Sequence, residues 1–140
     1  EEMFEAARGA GATLNGAAIR VSSRAELEGC RMLVAQDVIR HPAWPQPWPA
    51  MDVGKRASIA YRMALVANGT YDAMMALSPK HEWDMAAGTL IVQEAGGLVT
   101  THAGAGLVYN QPVPRLRSTI CAGPVLHAAI LERTGNIRLP

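Results

Sequence analysis

Strands alternating with helices from Arg31 onward predict an α/β fold, a layered αβα domain built on a mostly parallel mixed sheet. Three stretches carry that expectation. Arg31-Met32-Leu33-Val34-Ala35 is a continuous apolar run of the kind buried on both faces of a sheet. Ser58, Ile59, Met63, Val66 and Gly69 combine a helix cap, an apolar stripe and a stop signal. Residues 82–100 read in succession as the end of a polar loop, a helix and a strand. In sheets of this class ligands bind beyond the carboxyl ends of the strands.

The elements follow in chain order. Residues 1–22 read as a β-hairpin with strands over 3–7 and 17–21. Between them lie Gly9, Gly11 and the pair Asn15-Gly16, a strong turn signal. A glycine-rich loop can also cradle phosphate, but no helix or Lys-Ser/Thr follows these glycines. Residues 23–29 are polar and suit a short helical turn. After the strand at 31–35, residues 41–49 interleave Pro42, Pro45, Pro47 and Pro49 with Trp44 and Trp48, which rules out a helix. A surface loop anchored on the core by its tryptophans is expected there; a ligand for a proline-recognising domain is the other reading. The helix capped by Ser58 leads to a strand over 71–77 and a loop over 78–81.

In the next helix Met85, Ala86, Leu90 and Ile91 make the apolar stripe, and Ala86, Ala87 and Gly88 allow close approach to a neighbouring backbone. Gly96-Gly97 supplies the left-handed conformation that ends it. A strand over 98–100, a turn over 104–106, a short strand over 107–109 and a loop over 110–117 follow. A last buried strand spans 118–122. Pro124 then opens a terminal helix packed through Val125, Ala128, Ala129 and Leu131.

Composition narrows the function. At 140 residues the chain is one domain's worth, and 49% of it is hydrophobic, yet no apolar run reaches the length of a membrane span. A net charge of +1 leaves no basic footprint for nucleic acid. Two cysteines, Cys30 and Cys121, suggest neither a disulfide framework nor a metal knuckle, so a cytoplasmic protein with reduced thiols is expected. No signal peptide is visible. The chain starts with Glu rather than Met, which suggests that it begins inside a longer protein.

Chemistry concentrates at Asp84, at or just before a helix N-terminus, where unpaired N–H groups and the helix dipole favour an anion. Two readings fit: an N-cap, or a carboxylate aimed out of the loop at a hard cation. Spacing does not decide between them. The stretch Glu-Trp-Asp-Met-Ala-Ala-Gly-Thr-Leu-Ile-Val-Gln-Glu-Ala-Gly-Gly resembles the second signature of the inositol monophosphatase family, a branch of the lithium-sensitive, magnesium-dependent phosphatases. The order Phe-x-Ala-x-x-Gly-x-Gly-Ala-x-x-Asn-Gly near the start is also similar to that family, just before its second half.

The resemblance implies that residues 1–22 belong to the antiparallel sheet of an N-terminal domain lying outside this chain, and that 23–140 form the C-terminal α/β domain. It gives Asp84 the role of a magnesium ligand that also lies against the substrate. In the family the turn before the Ser58 helix usually reads Gly-Ser/Thr-Ala-Ala and touches substrate through its backbone. Here Ala57 and Ser58 occupy it, with Ala57 where Gly is usual. Lys55, Arg56 and Arg62 are a basic cluster that reads either as solvated charge or as a holder for a second phosphate, which makes Arg56 a candidate substrate contact.

Inositol monophosphatases offer a Glu to an inositol hydroxyl in the loop region. The matching position here is Ala76 or Leu77, and neither side chain can accept a hydrogen bond. That departure argues against inositol 1-phosphate as the main substrate, and the basic cluster is compatible with either bisphosphate class; a 3'(2'),5'-bisphosphate nucleotide is the expected substrate, with inositol 1-phosphate or fructose 1,6-bisphosphate as alternatives. Two or three magnesium ions are implied, most of their ligands lying outside the chain, because the family's Asp-Pro-x-Asp-Gly-Thr/Ser signature is absent from it. The implied partner is a small phosphorylated metabolite, with no nucleic acid or membrane; a homodimer is allowed. A catalytically dead relative acting as an interaction or regulatory module is the reading from a different class.

Overall fold

The computed structural model describes residues 1–139. Its elements are β1 (Phe4–Ala7), β2 (Gly11–Leu14), β3 (Ala17–Ala18), β4 (Arg31–Leu33), α1 (Gln36–Ile39), β5 (Asp52–Gly54), α2 (Ile59–Ala67), β6 (Ala73–Ala76), β7 (Lys80–His81), α3 (Glu82–Glu94), β8 (Leu98–Thr100), β9 (Arg115–Leu116), β10 (Thr119–Ala122) and α4 (Pro124–Thr134). The main sheet has five strands in the order β5-β4-β6-β10-β8.

The expected αβα layering follows from side-chain alternation. Leu33, Met74, Ala76, Cys121 and Val99 point to the face covered by α2 and α3, where they meet Met63, Val66, Met85 and Val92. Met32, Ala73, Met75, Ile120 and Ala122 point to the other face and pack on Leu126 and Ile130 of α4 and on Trp48. Every residue of β6 and β10 is buried, because both faces of these central strands are covered. Five of the fully buried side chains are methionines (Met32, Met63, Met74, Met75 and Met85), whose unbranched shape fills irregular gaps.

The sheet is mixed and mostly parallel, as expected: β5, β4, β6 and β8 run in one direction and β10 alone runs against them. β4 runs parallel to β5 and β6, while β10 runs antiparallel to β6 and β8. The cause is connectivity: after α3 the chain fills the edge with β8, and the connection over 101–118 returns β10 in the opposite sense into the slot beside β6.

Some expectations need correction. Residues 1–18 form a three-stranded meander, because the glycines turn the chain at 8–10 and Asn15-Gly16 turns it again. Asn15 and Gly16 both have positive φ, as that tight turn demands. Residues 23–29 are not helical; the chain only turns at 28–29, where Gly29 has φ 73°. Residues 107–109 form no strand, since only Gly106 bridges to Thr100. The strands β5, β7 and β9 and the short α1 carry no local signal strong enough to predict them.

The helix faces are also rotated from expectation. In α3 the buried set is Glu82, Met85, Gly88, Thr89 and Val92, with Ala86 exposed. In α4 it is Leu126, His127, Ile130 and Thr134, with Val125 and Ala128 exposed. Both helices carry apolar residues on more than one face, so the sheet chooses the phase. The helix ends, in contrast, obey local chemistry. Ser58 accepts a hydrogen bond from Tyr61 N at 3.2 Å. Gly69 and Gly96 adopt positive φ just beyond α2 and α3. Gly96 N donates to Gln93 O and Gly97 N to Val92 O, a Schellman closure of α3.

Candidate active site

Strands β5, β4 and β6 are parallel, so Gly54, Leu33 and Ala76 end at one edge of the sheet. The helices α2 and α3 start from that edge, after β5 and β6 respectively. They lie against each other through Gly88. A Cβ placed there would stand 2.8 Å from Met63 Sδ and 3.0 Å from Met63 Cβ, so only glycine lets the helices come so close. The expected role of small residues in α3 thus falls on Gly88, while Ala86 and Ala87 remain exposed.

Asp84 is not the N-cap of α3. That position belongs to His81, which makes no side-chain capping bond. Asp84 is the third helical residue, in the first turn and exposed. It takes no part in the hydrogen bonds or salt bridges among the described residues. Its neighbours are committed to structure. Glu82 is buried, and its carboxylate accepts from Asn110 N at 2.7 Å and Gln111 N at 3.1 Å. Lys80 Nζ donates to Ser78 Oγ at 2.7 Å. The ring of His81 stacks on Trp83 at 4.3 Å, with Nδ1 buried and unpaired. Trp83 itself is 65% exposed.

The turn before α2 is exposed from Lys55 to Ser58. Arg62 reaches back from the first turn of α2, donating through Nε to Arg56 O at 2.6 Å and through Nη2 to Ala57 O at 3.5 Å. Partial burial lowers its pKa, yet arginine stays charged. Arg56 donates to Lys55 O at 2.8 Å and lies over the Tyr71 ring at 5.8 Å. The basic cluster is therefore partly self-engaged, and Arg62 fixes the turn that carries Ala57 and Ser58. Sequence reasoning missed this role because the bonds run to backbone carbonyls, which any residue can supply.

The glycine loop between β1 and β2 already holds an anion belonging to the chain itself. Gly9 N and Gly11 N each donate to the Glu94 carboxylate at 2.9 Å. Those two amides hold the Glu94 carboxyl below the usual range. Both cysteines are buried and free, and burial pushes the Cys30 thiol up to about 11.

The sequence model of the inositol monophosphatase family matches residues 1–138. The chain belongs to that family. Among its relatives, Nus factor SuhB of Pseudomonas aeruginosa is 39% identical over a match covering 74% of this chain and 42% of that protein. The chloroplastic phosphatase IMPL1 of Arabidopsis thaliana is 32% identical, over 93% of this chain and 36% of that protein. Among solved structures, the extragenic suppressor protein SuhB of Bartonella henselae superposes with a TM-score of 0.77 at 29% identity, covering 95% of this chain and 53% of that one. The chain thus spans less than half the length of these two curated relatives.

Measured against the inositol monophosphatase fold, the expected site residues share one edge. Asp84 lies in the first turn of α3, Ser58 caps α2 with Ala57 before it, and Arg56 precedes both. Magnesium takes several hard oxygen ligands at once. No group of three or more His, Cys, Asp or Glu side chains fit to hold a metal occurs among the described residues. Asp84 is a donor of the right type, but these residues alone do not make a magnesium site. Two clefts open at this edge. One of about 280 Å³ is lined by residues around the ends of β4 and β5, including Asp37, Gly54 and Lys55. The other, of about 560 Å³, lies between the proline–tryptophan loop and residues 136–139.

Proposed function

We propose that this chain is the C-terminal part of a magnesium-dependent phosphomonoesterase that hydrolyses a small phosphorylated metabolite, with a 3'(2'),5'-bisphosphate nucleotide as the preferred substrate. One observation carries the reading: an exposed carboxylate, free of protein partners, at the first turn of a helix whose other first-turn acid is locked in structure. Glu82, Glu94 and Asp72 are each bonded within the fold, whereas Asp84 is left open. Family membership supports the phosphatase class.

The chain's own residues would bind and orient the phosphate. The N-terminal amides of α2 and α3 face the same edge and favour an anion there. Ser58 fixes the start of α2, and Arg62 holds the Ala57 turn in one conformation. Asp84 would be one magnesium ligand and lie against the substrate, with the remaining ligands for two or three ions supplied by residues outside this chain. Magnesium, when bound, supplies Lewis-acid and water-activating chemistry. The meander of β1–β3 is taken as the edge of the domain that carries those ligands, and residues 23–140 as the C-terminal domain.

Phosphate release by the longer parent protein from 3'-phosphoadenosine 5'-phosphate, inositol 1-phosphate and fructose 1,6-bisphosphate, with and without magnesium, tests the reading. Hydrolysis of the first substrate, abolished by chelation, is expected, and residues 1–140 alone are expected to be inactive. Robust hydrolysis by residues 1–140 alone would overturn the account. A second reading, a non-catalytic interaction module, draws on the Pseudomonas aeruginosa relative, whose name is that of a factor rather than of a phosphatase. Absence of hydrolysis of all three substrates by the parent would favour it.

A further inference from the structure

We propose that the 560 Å³ cleft between the proline–tryptophan loop and residues 136–139 is a nucleobase subsite. This deepens the bisphosphate-nucleotide reading and rests on it.

Four observations converge. The cleft has the volume of a small-ligand site. Its walls are largely apolar, from Val38, Trp44, Leu77 and Ile137. Apolar walls suit the faces of a flat aromatic base, which need no hydrogen bonds, better than a ring that carries hydroxyls on every side. The aromatic wall is held in place before any ligand arrives. Trp44 Nε1 donates to Val38 O at 2.6 Å, and its ring meets Trp48 edge-on at 5.2 Å. Trp48 is buried beneath Arg133, whose guanidinium lies 5.5 Å from the ring and donates to Pro47 O at 2.7 Å. A rigid indole gives a stacking surface at little cost in side-chain entropy.

The cleft also adjoins the phosphate edge. Leu77 directly follows β6, and Asp37 lines both this cleft and the smaller one that runs to Gly54 and Lys55. A substrate could thus extend from the Lys55 end of the smaller cleft, next to the turn before α2, to the Trp44 wall. His41 and Arg138 stand among the lining residues and provide hydrogen-bonding groups for the edge of a base. Leu77, one of the two positions that the resemblance matches to the hydroxyl-binding Glu of inositol monophosphatases, has an apolar part in this arrangement.

The test uses the full-length protein, with adenosine as probe and ribose as its base-free control, in calorimetric titrations. Trp44→Leu removes the stacking wall. Because Trp44 packs on the core, Ala43→Arg is the second variant, filling the cleft from an exposed lining position. Adenosine is expected to bind and ribose not, with adenosine affinity lowered about tenfold or more in each variant. With 3'-phosphoadenosine 5'-phosphate as substrate, Ala43→Arg should raise KM about tenfold and leave kcat unchanged. Adenosine binding unaffected by Ala43→Arg, or no adenosine binding at all, would overturn the subsite. Hydrolysis of the bisphosphate with an unchanged KM in Ala43→Arg would overturn the subsite while leaving the nucleotidase reading intact. Adenosine binding lost in Ala43→Arg, with no hydrolysis of the bisphosphate by the unmodified protein, would support the subsite and overturn the substrate.

Discussion

The two edges of the sheet where β4 and β6 begin and end are built on opposite principles. At the amino edge, Asp72 is buried and fully engaged. It accepts from Arg31 N at 2.7 Å and from the Arg31 guanidinium at 2.9 Å, and Arg31 also donates to Gly69 O at 3.0 Å. Burial opposes the charged form of Asp72, but Arg31 outweighs it and holds the carboxyl below the usual range. At the carboxyl edge Asp84 is exposed and outside the internal hydrogen bonds. Both edges carry an aspartate. A carboxylate closed on its own fold contributes to stability, and one left open is available for chemistry.

Substitutions sharpen that contrast. The largest stability loss is expected at the amino edge. Asp72→Ala leaves the Arg31 amide and guanidinium without their acceptor and should cost about 2 kcal/mol by denaturant titration, discounted because Arg31 is half exposed. A loss below about 0.5 kcal/mol would break the contrast from this side. A smaller loss is expected where the two helix starts are held together. Gly88→Ala forces Met63 to shift, and the strain exceeds the helix propensity that Ala adds, for a net loss of about 1 kcal/mol. A gain in stability would mean that α2 and α3 are not closely fixed.

The smallest effect concerns pH. His127 is 3% exposed and bonds Thr100 Oγ1 at 2.8 Å, and burial lowers its pKa from 6.5. A lowered folded-state pKa means that the unfolded chain takes up the proton first. The stability from neutral His127 is therefore present above about pH 6.5 and is lost as pH falls below it through the folded-state pKa. His127→Gln should flatten the loss as pH falls below about 6.5 in thermal melts. An unchanged slope would assign that pH dependence to other groups.

What the sequence made legible was local chemistry. Ser58, Gly69, Gly96-Gly97 and Pro124 each act within a few residues, and each marks a real helix boundary. The strands β4, β6, β8 and β10 were legible as apolar runs, and Asp84 stood out through its signature. The remainder depends on partners far along the chain. Glu82 looks like a solvated loop acid until it meets Asn110, and Glu94 like a helix-surface acid until Gly9 and Gly11 reach it. The phases of α3 and α4 were misread because apolar residues surround both helices. The larger cleft likewise assembles from residues 37–45, Leu77 and residues 136–139, segments separated by most of the chain.

The central claim is that the carboxyl edge is kept for chemistry and the amino edge for folding. Its most direct test is Asp84→Asn in the full-length protein, with turnover and melting temperature measured on the same preparation. The account predicts at least a tenfold loss of turnover, as expected for a catalytic charge, with the melting temperature unchanged. Turnover within tenfold of the unmodified protein, or a fall in melting temperature matching that of Asp72→Ala, would contradict it.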